Sequence, residues 1–295
     1  MTLAERLAGA RARLIAAGIA SEEAGHDAEL LSRHALQWDR ARLIAALRDP
    51  VPATLDPRFE RLIARRALRE PASQIIGIRE FWGLDFEISR DVLTPRPETE
   101  LVVRAALDIH AREAFTHTPV IVDVGTGSGC IAIALATELP DADFIASDTS
   151  LAALTVARRN AARHDLERRI AFVHSSYMPP QNDADIIVSN PPYVPDKAQP
   201  ALPAEVRDYE PSVALFGGSD GLDCFRRLLR DPGDLSAGGW LVVEVGYDQG
   251  DAVRALAASR IREAGDRCSW EPGRTYDDLQ GIERVLTFKA RRDRE

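Results

Sequence analysis

The sequence predicts an α/β protein: an open, mostly parallel sheet with helices on both faces, preceded by a small helical bundle and a β-hairpin connector. Three observations carry this. Residues 1–70 keep helical apolar spacing and show no strand pattern. From Pro119 onward, short apolar runs alternate with helical segments, the order that builds parallel sheets. The first of those runs ends in a glycine turn that opens a helix, Val120 to Ala134.

In the first region Leu3, Leu7, Ala10 and Leu14 recur at helical spacing, which fits a packed amphipathic helix better than an arginine-rich transit peptide. Ser21, followed by Glu22, Glu23 and the apolar series Ala28, Leu31, Ala35, reads as a capped helix start. Asp49-Pro50-Val51-Pro52 interrupts the pattern, and Phe59, Leu62, Ile63, Arg66 and Ala67 resume it. The segment EFWGLDFEIS alternates large apolar and polar residues about Gly83, which predicts a hairpin. Phe81 and Trp82 are expected to join the flanking domains through core packing. After the two prolines of TPRPETE a helix is expected over 101–113. Strands are then expected at 120–124, 143–147, 170–174, 185–189, 240–245 and 282–288, with helices at 129–138, 150–163, 221–230 and 249–260. The expected division is a helical domain over 1–70, a connector over 71–95 and a sheet domain over 96–295.

The 295 residues, 45% hydrophobic, suffice for two domains. The formal charge of −9 argues against broad binding to a phosphate backbone. Cys130, Cys224 and Cys268 are isolated, and the histidines show no ligand spacing, so neither a disulfide framework nor a metal site is predicted. No apolar run approaches the length of a membrane span. A reducing cytoplasm is the expected home. No interface stripe stands out, and a monomer is the default expectation.

The stretch Asp123-Val124-Gly125-Thr126-Gly127-Ser128-Gly129-Cys130 reads as a strand end and a turn. Glycines there let the backbone turn tightly and approach a ligand. A dinucleotide fingerprint needs GxGxxG. Here the spacing is GxGxG, and an acid, Asp123, precedes the first glycine. These differences favour S-adenosylmethionine over a nicotinamide or flavin cofactor. Asp123, Gly125, Thr126, Gly127, Ser128 and Gly129 become candidate cofactor residues. Asp148 ends the next strand, nineteen positions beyond Gly129. A carboxylate there can accept from both hydroxyls of a ribose. Each feature alone also fits a plain tight turn and an acid capping the next helix. Together, at the ends of adjacent strands, they point to a ligand.

Ser189-Asn190-Pro191-Pro192-Tyr193 closes the expected strand 185–189. That places Asn190 at the carboxyl edge of the sheet, where open α/β sheets bind ligands. The prolines fix φ and remove two donors, and the residue before a proline is biased to an extended shape. The stiff segment offers two acceptors, the Asn190 side-chain oxygen and the Pro191 carbonyl, beside the ring of Tyr193. Two acceptors suit an NH2 group, and a flat ring suits a conjugated one. The implied target is an amino group on a π system: a carboxamide, adenine N6, cytosine N4 or guanine N2. Such a nitrogen is a poor nucleophile because its lone pair is delocalised. Gripping both hydrogens turns the lone pair toward a sulfonium methyl and stabilises the positive charge that develops on nitrogen. Asn190, Pro191 and Tyr193 are therefore candidate catalytic residues. Pro192 completes the substrate-binding segment, and Asn190 also counts among the cofactor contacts.

GxGxG after a strand, an acid at the next strand end and NPPY together resemble the Rossmann-like class I S-adenosylmethionine-dependent amino-methyltransferases. Further segments narrow the likeness: EFWGLDFEIS…VLTPRPETE, DVGTGSGCIAIALA, SNPPYV, EVRDYEPSVALFGGSDGLDCFRRLL, EVGYDQG and DLQGIERV. Over about residues 70–288 the chain resembles the PrmC/HemK-type release factor glutamine methyltransferases. The resemblance implies methyl transfer to the side-chain nitrogen (N5) of the glutamine in the GGQ loop of class 1 peptide chain release factors, with S-adenosylhomocysteine as coproduct. It implies that Gly125 to Gly129 wrap the methionine end of the cofactor, that Asp148 binds the ribose, and that Asn190 to Tyr193 hold the glutamine amide. The family's acid near adenine, after the third strand, is matched here by Ser176, and Tyr177 is left to flank the base. Arg96, Glu98 and Glu100 lie in a loop that the resemblance sets near cofactor and substrate; a salt-bridged linker and helix cap explains them equally well. Glu244 and the acids of EVRDYEP are expected to close the sheet and shape the channel. Residues 1–70 fit the family's small substrate-recognition domain.

NPPY alone also permits a nucleic-acid methyltransferase acting on an exocyclic amine, adenine N6 or guanine N2. The net charge of −9 and the lack of a lysine- and arginine-rich appended domain count against it, so no stable nucleic-acid partner is expected.

Overall fold

The computed structural model describes residues 1–176, 183–230, 235–263 and 268–292. The chain divides into two units, one formed by residues 1–78 with 203–209, the other by 79–202 with 210–295. The first is helical. Its α1 (Leu3–Ala16) starts at a reciprocal capping box between Thr2 and Glu5. Helix α2 (Ser21–Leu36) takes Ser21 as its first residue rather than its cap, and the Ser21 hydroxyl accepts from Arg11 instead. Three shorter helices follow, α3 (Arg40–Ala45), α4 (Arg58–Ala67) and α5 (Ala72–Ile76). Their apolar stripes meet in a core that includes Leu3, Leu14, Leu31, Phe59 and Ile63.

Arg66 lies inside this unit. Its guanidinium donates to Asp27 at 2.6 Å, Glu23 at 2.8 Å and Glu205 at 3.0 Å. A buried cation is tolerated when it is paired in this way. Glu205 belongs to a short helix, Ala204–Tyr209, that returns to the unit from late in the sequence. Gln74 holds the end of that helix by donating to the Tyr209 carbonyl at 3.0 Å.

The hairpin appears as expected, with β1 (Ile78–Phe81) and β2 (Leu84–Glu87). Trp82 and Gly83 both take positive φ, 56° and 72°, the pair of conformations that matches a tight turn to the strand twist. Trp82 is held there from both ends: its backbone N–H donates to Glu100, and its indole N–H donates to Glu138. Phe81 and Phe86 enter the core of the second unit.

That unit is built on a sheet. After α6 (Glu100–Glu113) the chain forms β3 (Val120–Val124), α7 (Cys130–Glu138), β4 (Asp143–Asp148), α8 (Leu151–Arg163), β5 (Ile170–His174) and β6 (Ala184–Ser189). The returning Ala204–Tyr209 helix is α9. Then come α10 (Asp223–Leu228), β7 (Leu235–Glu244), α11 (Gly250–Glu263), β8 (Cys268–Asp277) and β9 (Glu283–Arg292). The sheet order is β5-β4-β3-β6-β7-β9-β8. Strands β3 to β7 run parallel, and β9 and β8 complete the sheet antiparallel. Alternate strand residues face opposite cores. Ile121, Ile186, Val188 and Val242 join α6 and α7 on one face. Val122, Ile187, Leu241 and Val243 join α10 and α11 on the other.

Strand β8 was not expected from the sequence. Pro272 and Gly273 break its alternation, and the register shifts between Pro272 and Thr275. Proline is tolerated because β8 is an edge strand. The winding reverses between β3 and β6: β4 and β5 lie on one side of β3, and β6 and β7 on the other. Sheets of this kind open a crevice at that switch point, outside the carboxyl ends of the strands.

Candidate active site

The five residues between β3 and α7 form the glycine turn. Gly125, Gly127 and Gly129 have φ of 75°, 55° and 83°. A side chain added at Gly125 or Gly127 would meet nothing within 4 Å, so the backbone there borders open space. At Gly129 it would crowd Ile133 and Ala157, so this glycine serves the packing of α7 on α8. Neighbouring elements pin the turn. The Gly125 and Thr126 N–H groups both donate to the Ser147 carbonyl at 2.9 Å. The Gly127 N–H donates to Asp148 Oδ2 at 2.9 Å, and Asn160 Nδ2 donates to the Ser128 carbonyl at 2.8 Å. Asp148 Oδ1 accepts from the Ser150 N–H at 2.8 Å, while Ser150 itself caps α8.

Asp123 is fully buried. Its Oδ2 accepts from the Thr126 hydroxyl at 2.6 Å and the Ala132 N–H at 3.3 Å. Its Oδ1 has no hydrogen-bond partner among the described residues. Burial pushes its carboxyl up to about 7, against the bond from Thr126.

A cavity of about 420 Å³ lies at the carboxyl ends of β3 and β6, within the size range of small-molecule sites. Gly125, Thr126, Gly127, Ser128 and Asp148 line it together with Asn190, Pro191 and Pro192. Most of the predicted residues therefore meet at one place. Asp123 and Gly129 shape the turn without lining the cavity. Tyr177, expected to flank adenine, lies outside the described residues; its neighbour Ser176 lines the cavity.

Asn190 is tied to a buried acid through Thr99. The Thr99 hydroxyl donates to Glu244 Oε2 at 2.7 Å, and Asn190 Nδ2 donates to Thr99 Oγ1 at 3.0 Å. The Tyr193 hydroxyl donates to Glu244 Oε1 at 3.3 Å. Burial pushes the Glu244 carboxyl up to about 7, while the bonds from Thr99 and Tyr193 hold it down. Burial, then the charge of Glu244, raises the Tyr193 phenol. Tyr193 does not line the cavity, and its ring packs against the core around Val122 and Ile187. The flat face expected to meet a substrate packs on the core instead, with its hydroxyl on Glu244. Arg96 lines the cavity and pairs with Glu210 at 2.6 Å, as in a salt-bridged linker, while Glu100 accepts from the Trp82 backbone N–H and ties the start of α6 to the hairpin turn. Sequence reasoning missed Thr99, because a neutral hydroxyl between two glutamates gives no signal of its own.

The NPPY segment is braced by residues 215–221. The Val194 N–H donates to the Leu215 carbonyl at 2.9 Å, and the Gly217 N–H donates to the Val194 carbonyl at 3.0 Å. Gln249 Nε2 donates to the Tyr193 carbonyl at 2.9 Å. A side chain at Gly217 would strike the Pro192 carbonyl, and one at Gly221 the Tyr193 carbonyl.

Comparison with known proteins agrees with this layout. A model of the PrmC N-terminal domain matches residues 5–77, and one of the methyltransferase small domain matches residues 105–205. The curated release factor glutamine methyltransferase of Cereibacter sphaeroides is 45% identical over 98% of this chain and 99% of its own length. That of Moorella thermoacetica is 43% identical over 87% of this chain and 90% of its own. The chain belongs to the release factor glutamine methyltransferase family. As a member of it, the protein is a methyltransferase with S-adenosylmethionine as methyl donor. Among solved structures, the hMettl16 catalytic domain in complex with the MAT2A 3′UTR hairpin 6 aligns with a TM-score of 0.54 at 18% identity, over 77% of this chain and 81% of its own. That likeness supports the class I methyltransferase fold.

The cavity residues of this methyltransferase fit the donor. The open backbone at Gly125 and Gly127 lets a ligand come into contact. Asp148 keeps acceptor capacity after taking two N–H bonds, since a carboxylate offers about four lone-pair sites. Among the described residues, no group of three or more His, Cys, Asp or Glu is placed to hold a metal ion, and no helix is long and apolar enough to cross a membrane.

Proposed function

We propose that this protein methylates the side-chain nitrogen (N5) of the glutamine in the GGQ loop of class 1 peptide chain release factors. The observation that carries the reading is the Asn190–Thr99–Glu244 chain beside the glycine turn. With Nδ2 tied to Thr99, Asn190 is left with its Oδ1 as an acceptor next to the Pro191 carbonyl, and both residues line the cavity.

The bound donor supplies a methyl group on a sulfonium, which is strongly electrophilic. The chain's own residues prepare the nucleophile. Asn190 Oδ1 and the Pro191 carbonyl accept the two hydrogens of the substrate NH2, which aims its lone pair. They also stabilise the positive charge that grows on nitrogen. The prolines hold both acceptors in place beforehand, so little reorganisation accompanies the reaction. Once methylated, the nitrogen is acidic and releases its proton, so the site needs no strong base. In this reading Gly125 to Ser128 and Asp148 hold the donor, Asp123 and Gly129 shape the turn that carries them, and Asn190 to Pro192 form the substrate segment with Tyr193 bracing it from the core. Residues 1–70 recognise the release factor, 71–95 connect, and 96–295 carry the chemistry. The cytoplasm, where translation ends, is the site of action, with the protein acting as a monomer and without a stable nucleic-acid partner.

The test offers labelled S-adenosylmethionine with an equal mixture of release factor and structured RNA, and locates the label by peptide mass mapping. The expected result is label on the GGQ glutamine. In Asn190→Ala, kcat should fall about 10²–10³-fold, as for loss of a charge-stabilising contact, while donor affinity stays within about threefold. Label on RNA, or protein label that survives replacement of the glutamine, would overturn the reading.

A further inference from the structure

We propose that Thr99 and Glu244 are positioning residues that decide which end of the Asn190 amide faces the substrate. The inference rests on the function proposed above. It concerns a choice that Asn190 cannot make alone. The prolines fix the backbone, yet a carboxamide rotated by half a turn presents NH2 where its oxygen stood. With oxygen outward, the residue accepts a substrate N–H. With nitrogen outward, it meets that N–H with another donor, and the grip is lost.

The selection follows from counting protons. Thr99 has one hydroxyl proton, and an ionised Glu244 can only accept. The proton therefore goes to Glu244 Oε2, at 2.7 Å. Thr99 Oγ1 is left as an acceptor for Asn190, and only Nδ2 can donate to it, at 3.0 Å. Tyr193 donates to the other oxygen of Glu244, so both ends of the carboxylate receive protons and neither gives one. Thr99 and Glu244 are buried, which shields the bond between them from water, while the bonds from Asn190 and Tyr193 are part-buried.

Placing one proton on Glu244 undoes the choice. A neutral carboxyl, or a glutamine, becomes a donor at one of its two ends. Donating to Thr99, it turns the hydroxyl toward Asn190, which then offers its oxygen inward and its NH2 to the cavity. The charged and titratable groups acting on Glu244 are Glu98 from the turn before α6, Tyr193 after β6, Arg284 from β9 and Cys130 from α7. Arg284 is paired with Asp278 at 2.8 Å. Cys130 stays neutral, its thiol pushed up to about 12 by burial.

Two measurements test this. The first uses ligand-free, ¹⁵N-labelled protein and needs no substrate. The Asn190 side-chain NH2 signal is assigned by its loss in Asn190→Asp. Its nitrogen shift should titrate near neutral pH in the wild type and lose that titration in Glu244→Gln. In Thr99→Val its exchange with water should quicken about tenfold, the worth of about one net hydrogen bond. A signal indifferent to both substitutions overturns the proposal.

The second is kinetic. Thr99→Val should lower kcat about 10–100-fold, the scale of a misplaced reacting group, with KM for the release factor and Kd for the donor within about threefold. Thr99→Ser, which keeps the hydroxyl, should restore kcat, and Glu244→Gln should lack the acid limb of the kcat profile. Full activity in Thr99→Val, or an equal loss in Thr99→Ser, overturns the positioning role. A wild type that methylates no release factor sinks the parent reading and leaves the first measurement to judge this one.

Discussion

At Asp148 both carboxylate oxygens are engaged, one by the glycine turn and one by the start of α8. The residue thus fixes the turn and also lines the cavity. Asp148→Asn puts an NH2 where one N–H must be accepted, and removes the charge. Donor Kd should rise about 10–100-fold, in keeping with loss of a hydrogen bond to a charged group. Turnover at saturating donor should change less than about threefold. Titration calorimetry beside steady-state kinetics separates the two, and an unchanged Kd would show that Asp148 serves the turn alone. At this scale the sequence is legible where a residue is chemically loud. Glycines at positive φ, an acid at a strand end and paired prolines each announce themselves. Thr99 and Gln249 stay silent, and Glu244 is read only as closing the sheet, because their bonds to Asn190 and Tyr193 exist only once positions far apart in the chain are brought together.

The element that braces the substrate segment is the stretch 215–221, and it works through absent side chains. Gly217 and Gly221 press against the carbonyls of Pro192 and Tyr193, which are backbone and cannot swing aside. Gly221→Ala should displace the segment while leaving the sheet intact. Activity should fall about 100-fold, the cost expected of roughly 1 Å of misplacement, with an unchanged far-ultraviolet circular dichroism spectrum. Gln249→Ala, which removes one bond to the Tyr193 carbonyl, should cost less. Near-normal activity in Gly221→Ala would mean that the prolines alone hold the segment. The parallel strands β3 and β6 were readable because strands buried on both faces are near-continuous apolar runs. Strand β8 was not, since Pro272 and Gly273 hide it. Nor was the return of α9 to the helical unit, which depends on Arg66 meeting Glu205.

For the whole molecule, the buried carboxyls set how stability follows pH. Asp123 and Glu244 are both pushed up to about 7. In the unfolded chain they would lose their protons near their ordinary values of 3.8 and 4.5. Between those values and about 7, the folded state binds protons that the unfolded state has released. Stability therefore falls as pH rises through that window and levels off above it. Asp220, lowered by Arg226, and Asp278, lowered by Arg284, act at the other end: what they contribute is lost only as pH falls below the ordinary carboxylate range. Comparing Glu244→Gln with the wild type isolates one group. From pH 5.5 to pH 8 the ligand-free wild type should lose about 2 kcal/mol more than the variant, a difference of a few degrees in Tm by scanning calorimetry. Equal losses would show that Glu244 does not titrate in the fold, and would remove the pH dependence expected of the Asn190 lock. A larger loss in the wild type would mean that the chain keeps a destabilising charge where a neutral amide would be more stable. That charge has a use if it is what points the Asn190 oxygen at the substrate.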